Sequence, residues 1–405
     1  MQVYFLGIDI GKRHHEACLL DVAGNVISKP LRFTNTQPGG QKLLNWLSKA
    51  VPAEAKVIVG MEATGHYWLA LHTFLRKHGL TVEVVNPIQS DALRNLYVRQ
   101  SKNDTKDAFL LAELIRFGRY SKTAIAAEDL LGLRQLTRFR FSLVDSIGDL
   151  KRQVIAIIDT IFPEYETLFS DIFGKTSTEL LLAYSTPDEM LAVDTQDLTA
   201  FLAKHSRNQF GQAKAELVLQ TARNTFGSDI ALDAYSFQLR LLLQQIQFAE
   251  EQLQCLETEI GRRLEQFDQQ LTTVPGIGPV LAASILAEVG DISRFNSPKQ
   301  LVAFAGLDPS VRQSGQFQGT ENHLSKRGSP YLRRAAWLAA MNARRFDPVF
   351  KAFYDDKMQR GKHSFTALGA VARKLISVVY AILRDNRPYS ADVGLLHSHH
   401  HLNQP

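Results

Sequence analysis

The chain has 405 residues, too many for one ordinary domain and a fit for two or three. Its 45% hydrophobic and 21% charged residues lie close to globular averages, which excludes collagenous, mucin-like and wholly disordered chains. The longest uncharged apolar stretch, residues 274–287, falls short of the ~20 residues of a bilayer span, and no basic region precedes the apolar start, so a soluble cytoplasmic protein with no membrane partner is expected. Cys18 and Cys255 are too few for a disulfide framework. The net charge of +5 is uneven, because residues 311–385 carry 14 Lys and Arg against 5 Asp and Glu. A polyanion would be held there.

In chain order, residues 3–10, 14–20 and 26–33 read as a three-strand meander. A helix at 41–50 and a strand at 57–61 follow, with Glu62 at the strand's end. Thr64 is placed to cap the next helix, and a strand at 80–85 stops at Asn86-Pro87. The expected fold of residues 1–125 is therefore α/β with a mixed sheet.

Beyond residue 126 no strand is predicted. Helices are expected at 128–162 and 233–267, within a helical or coiled-coil linker region spanning 126–268. Leu239, Leu242, Ile246, Ala249, Leu253, Leu256 and Ile260 form a stripe suited to an antiparallel bundle or to a coiled coil between chains. Residues 163–228 lean helical and carry no functional signal. Pro275-Gly-Ile-Gly278 reads as a plain helical hairpin or as a helix-hairpin-helix element, in which Gly276 and Gly278 let backbone amides approach a phosphate. Helices at 298–307, 330–345, 349–359 and 364–383 complete a helical domain over 269–390, and 391–405 is an expected disordered tail. Arg333 shares a helix face with Arg344, and Arg334 with Arg345, as nucleic-acid contacts or as ordinary solvated charge.

Asp9 lies inside an apolar first strand, which is costly unless the acid is paired or binds metal. With Glu62, and with Asp104 and Asp107 one helical turn apart, it forms a candidate carboxylate cluster for two-metal phosphodiester chemistry. The bland alternative makes Asp104 a helix cap and Asp107 a solvated first-turn acid. Asp9-Ile-Gly11 also suits an actin-like phosphate loop, but a second such loop and a Walker motif are both missing from the sequence, so an ATPase is not expected. A second constellation runs from Val311 to Gly319 and on through Ser325-Lys326-Arg327-Gly328. A serine here would act as a nucleophile beside basic residues, and spacing alone does not choose among Ser310, Ser314, Ser325 and Ser329.

Taken together, Gly7-Ile-Asp9-Ile-Gly, Glu62-Ala-Thr-Gly65, Asn86-Pro87, Lys102-Asn-Asp104-Thr-Lys-Asp107, Pro275-Gly-Ile-Gly278, Ala303-Phe-Ala-Gly-Leu-Asp-Pro309, Ser314-Gly315 and Ser325-Lys-Arg-Gly328 resemble the transposases of the insertion sequence one-ten (IS110) family, which includes the Piv-type pilin-gene invertases. The resemblance implies a RuvC-like, ribonuclease H-type amino-terminal domain in which Asp9, Glu62, Asp104 and Asp107 bind magnesium. It implies that Ser314 attacks DNA to give a phosphoserine intermediate; the basic Lys326 and Arg327 that follow it in the sequence are candidate nucleic-acid contacts. It further implies a structured bridge RNA that pairs with donor and target DNA, and a homo-oligomer, dimer or tetramer, with composite sites.

The expected function is thus a transposase or site-specific recombinase. The alternative is a RuvC-like junction endonuclease in which metal-bound water attacks and Ser314 is structural. A non-catalytic DNA-binding module leaves Asp9 unexplained.

Overall fold

A computed structural model describes residues 2–62, 67–85, 104–118, 128–309 and 323–391, and the backbone of 313–314 and 317–318. The chain divides into two compact units, Met1–Ile125 and Ala126–Pro405.

The first unit is built on a five-stranded sheet in the order β3-β2-β1-β4-β5. Its strands are β1 (Val3–Ile10), β2 (His14–Leu20), β3 (Leu31–Thr34), β4 (Lys56–Glu62) and β5 (Thr81–Val85). The β1–β2 and β2–β3 pairs are antiparallel, whereas β1–β4 and β4–β5 are parallel, so the sheet is mixed as expected. On one face Leu6, Ile8, Val59 and Met61 pack with Leu43 and Leu47 of α1 (Gln37–Ala50) and Leu71 and Leu75 of α2 (Trp68–Lys77). On the other lies α3 (Asp104–Phe117), whose Ala108 and Ala112 meet Cys18 and Leu20.

Two glycines set how closely α3 approaches. A Cβ on Gly7 would stand 2.0 Å from the Ala108 carbonyl oxygen and 2.4 Å from the Ala112 nitrogen, so the helix backbone rests directly on β1. At Gly60 on β4 the neighbour is a side chain instead, where a Cβ would meet Ile115 Cγ2 at 2.8 Å.

Two expectations shift here. The third strand starts at Leu31 rather than at residue 26, leaving Val26 with a single bridge to Leu20. Pro30 has no N–H to give the ladder, and the Asp21 carboxylate turns the preceding chain by accepting from the amides of Ala23 and Asn25, each at 2.9 Å. The first helix begins at Gln37, four residues before its apolar pattern, because the Thr36 hydroxyl accepts from the Gly39 amide at 3.3 Å and Pro38 occupies the first turn. Thr64, Asn86-Pro87 and Lys102-Asn103 lie outside the described residues.

The second unit is framed by α4 (Glu128–Ile161) and α9 (Leu232–Leu264). Leu133 and Phe141 pack with Leu256, Ile260 and Leu264, while Val154, Ile157 and Ile161 pack with Leu239, Leu242 and Ile246. The two helices are therefore antiparallel partners, and Arg140–Glu257 and Lys151–Glu250, both at 2.7 Å, hold that register. Within the chain the apolar stripe therefore packs as in an antiparallel bundle, one of its two expected uses. Between them α5 (Lys175–Ala183), α6 (Pro187–Leu191), α7 (Thr195–His205) and α8 (Gln212–Arg223) enclose a satellite core around Tyr165, Leu180, Met190, Leu198 and Val218.

The remaining helices are α10 (Pro279–Val289), α11 (Pro298–Phe304), α12 (Pro330–Phe346), α13 (Pro348–Gln359) and α14 (Ser364–Asp385). Although α14 is long and apolar enough to cross a membrane, 72% of its most apolar window is buried, and Val371, Ala372, Leu375, Ile376 and Val379 make it a core helix. The helix-hairpin-helix expectation fails in its first helix, because Pro275–Gly278 is preceded by the three-residue 3-10 turn Leu271–Thr273. Strand was not expected in this half, yet β6 (Gln313–Ser314) and β7 (Phe317–Gln318) pair antiparallel. The expected tail from residue 392 lies outside the described residues.

Candidate active site

Side chains two apart on a strand share a face, so Asp9 follows Gly7, and Glu62 follows Gly60, onto the side of the sheet covered by α3. Ile8 is level with Met61 across the parallel pair, which sets Asp9 and Glu62 beside each other at the strands' carboxyl ends. The first turn of α3 supplies Asp104 and Asp107, the latter 8% exposed.

All four acids thus meet in one neighbourhood. Burial and the negative charges of Asp107, Asp104 and Glu62 push the Asp9 carboxyl up to about 6. Such repulsion calls for a cation, and a donor set made only of carboxylate oxygens suits a hard divalent ion. Among the described residues no group of three His, Cys, Asp or Glu converges closely enough in this structure to hold one.

The stretch bearing Ser314 is zipped at its base. The Ser325 amide donates to the Asp308 carbonyl at 2.8 Å, Lys326 to Gly306 at 3.2 Å and Ser329 to Phe304 at 2.8 Å, with a bridge between Pro309 and Leu324. A Cβ on Gly328 would meet the Phe304 carbonyl at 2.1 Å, and one on Gly306 the Arg327 carbonyl at 2.3 Å. Ser314 itself faces Phe317 across the two-residue hairpin.

Two rival serines have structural employment. The Ser325 hydroxyl donates to the Asp308 carboxylate, and the Ser329 hydroxyl caps α12 and donates to Glu288. Ser310 lies outside the described residues.

The basic residues divide. Lys326, Arg327 and Arg345 are exposed. Arg333 donates to the Ala305 carbonyl at 3.3 Å, Arg334 grips Asp145 at 2.6 and 2.7 Å, and Arg344 stacks over the Tyr354 ring at 4.7 Å. Gly276 is required by packing, since its φ is +93° and a Cβ would stand 2.5 Å from the Ala343 nitrogen, whereas a Cβ on Gly278 would meet open space.

Two residues near these groups escaped the sequence reading. Glu16 pairs with Asp9 across β1–β2 and meets Arg32 at 3.6 Å; strand alternation would have revealed it once the register was known. Asp308 sits in a loop whose chain partner comes 17 residues later, so it left no periodic signal.

Residues 6–163 match a family described as transposase, and residues 268–355 match the transposase family IS116/IS110/IS902. The chain belongs to this transposase family. It is 26% identical over 396 residues to the 44.8 kDa protein of insertion element IS116 from Streptomyces clavuligerus, covering 95% of this chain and 96% of that one. It is also 26% identical over 391 residues to the pilin gene-inverting protein of Moraxella bovis, covering 96% and 98%. Among solved structures, T. thermophilus RuvC in complex with a Holliday junction substrate matches 30% of this chain and 99% of that one at 14% identity, with a TM-score of 0.23. This transposase is an enzyme of DNA strand cleavage and rejoining, and DNA is its partner.

Proposed function

We propose that this transposase cuts and rejoins DNA through a phosphoserine at Ser314, with Asp9, Glu62, Asp104 and Asp107 as the ligands of a divalent metal, magnesium by donor type. The observation that carries this reading is the gathering of Asp9, Glu62, Asp104 and Asp107 in one neighbourhood, where burial and the other three acids raise the Asp9 carboxyl to about 6. A bound divalent ion would neutralise that charge and polarise the scissile phosphate.

In the reaction the Ser314 hydroxyl loses its proton as its oxygen bonds to phosphorus, and one phosphorus–oxygen ester bond of the strand breaks. The departing sugar oxygen takes up a proton and remains as a hydroxyl; in resealing, a sugar hydroxyl attacks the phosphoserine phosphorus, the bond to the Ser314 oxygen breaks, and the serine hydroxyl regains its proton. One ester replaces another, so no nucleotide cofactor is required. The exposed Lys326, Arg327 and Arg345 hold the DNA backbone.

Base readout falls to a bridge RNA, as in the family that the sequence resembles, and a dimer or tetramer performs the exchange. This is supported by α12, whose Arg333, Arg334 and Arg344 are engaged within the protein rather than arrayed for reading bases.

The test is to trap the covalent adduct on a nicked substrate with divalent metal present and map the modified peptide. Ser314 is expected to carry the DNA, and Ser314→Ala to abolish the adduct. Cleavage with no adduct on any serine overturns this reading in favour of hydrolysis by a RuvC-like endonuclease.

A further inference from the structure

We propose that Asp308 is a positioning residue for Ser314, acting through its hydrogen bond with Ser325; the inference rests on Ser314 being the nucleophile. Asp308 precedes Ser314 by six residues and Ser325 follows it by eleven, so their side chains join the two chain segments on which the serine hairpin stands. Backbone bonds hold the same base from residue 304 to residue 329, but the zip has to tolerate Lys326 at φ +52°, a left-handed conformation that disfavours a non-glycine residue. A side-chain bond one residue away opposes relaxation of that turn.

The chemistry of the pair suits the task. A hydroxyl donating to a carboxylate makes a stronger bond than one between neutral groups. Asp308 is half-buried and feels an attraction from the guanidinium of Arg373 on α14. An attacking oxygen has to meet phosphorus in line, and small misplacements of such a group cost on the order of 100-fold in rate. Two strands of two residues each have little stability of their own, so the accuracy of Ser314 depends on the base beneath it.

Asp308→Ala and Ser325→Ala are each expected to slow formation of the Ser314–DNA adduct by about 10- to 100-fold. DNA affinity should stay within about three-fold, because neither residue belongs to the exposed basic set. Since both changes sever one bond, the double variant should be no slower than either single one. Asp308→Asn retains an acceptor for the Ser325 hydroxyl and should recover most of the rate. Amide hydrogen exchange at Gln313, Ser314, Phe317 and Gln318 should quicken in both alanine variants, a readout that needs no chemistry.

Asp308→Asn as slow as Asp308→Ala, or losses that multiply in the double variant, would overturn the proposal. Ser325→Ala keeps the test decisive if Asp308→Ala fails to fold: a wild-type rate there removes the hydrogen bond from any role. An adduct on a different serine in the wild-type protein overturns the Ser314 reading itself, and that result is distinct because it needs no variant.

Discussion

Ser329 faces two ways: its hydroxyl accepts from the Leu332 amide at 3.0 Å as the cap of α12 and donates to the Glu288 carboxylate at 2.7 Å. Glu288, 3% exposed, also takes Arg138 in a two-pronged pair at 2.6 and 3.0 Å. Three segments distant in sequence, the long helix α4, the core helix α10 and the start of α12 just after the serine loop, are pinned at one buried acid.

Breaking that pin strands charge. Glu288→Ala leaves the Arg138 guanidinium without its acceptor in a partly desolvated place and should cost about 3 kcal/mol. Ser329→Ala loses one cap and one hydrogen bond, about 1–2 kcal/mol. Chemical denaturation followed by circular dichroism checks the ranking; a Glu288→Ala protein as stable as wild type would show that Arg138 finds water instead.

Asp9 carries a charge that the metal-free fold resists. Its folded pKa of about 6 exceeds the ordinary carboxyl value of 3.8, so the metal-free fold is favoured while Asp9 is protonated, and that advantage disappears as pH rises from about 4 through 6. By linkage the ionised carboxyl destabilises the metal-free protein above about pH 6. Asp9→Asn should therefore raise the metal-free melting temperature at pH 7.5, flatten its pH dependence between 4 and 6, and lose both activity and stabilisation by magnesium. A melting temperature at pH 7.5 that is unchanged or lower in Asp9→Asn contradicts this account of the charge cluster.

How much of this was legible beforehand follows from the range of each interaction. Asp9 was readable because an acid within an apolar strand announces a cost, and Glu62 because it ends a strand. The antiparallel pairing of α4 with α9 was not separable from a coiled coil between chains, since both use the same stripe. The Ser314 hairpin has two residues per strand, too few to show alternation. Arg334 reads as a nucleic-acid contact or as solvated charge, because Asp145, its partner, lies 189 residues earlier.

Gly7 should be a more sensitive position than Gly60. An added methyl would meet helix backbone at 2.0 and 2.4 Å, and backbone cannot rotate away, so Gly7→Ala has to lift α3 and with it Asp104 and Asp107. Gly60→Ala meets only the Ile115 side chain at 2.8 Å, which has rotamers to spare. Gly7→Ala should lose metal-dependent stabilisation and activity together, whereas Gly60→Ala keeps both with a cost of about 1–3 kcal/mol. Equal effects from the two would mean that α3 is free to shift on the sheet.

The basic residues of the second unit should separate by what they already hold. Each phosphate contact contributes close to one unit to the dependence of affinity on salt, whatever the DNA sequence. Lys326, Arg327 and Arg345 are exposed, so replacing any of them with alanine should weaken binding at low salt and lower the salt slope by about 1, with no change in the preferred site. Arg334 is bound to Asp145 with side-chain exposures of 36% and 60% and covers the Phe141 ring at 4.7 Å. Removing it gives up a surface ion pair worth at most about 1 kcal/mol of stability and should leave the salt slope unaltered. Binding titrations from 50 to 200 mM salt on two unrelated DNA sequences decide between the groups. A lowered slope for Arg334→Ala would mean that it leaves Asp145 for the phosphates, and a changed sequence preference for any of the four would mean that the protein itself reads bases, against the RNA-guided reading.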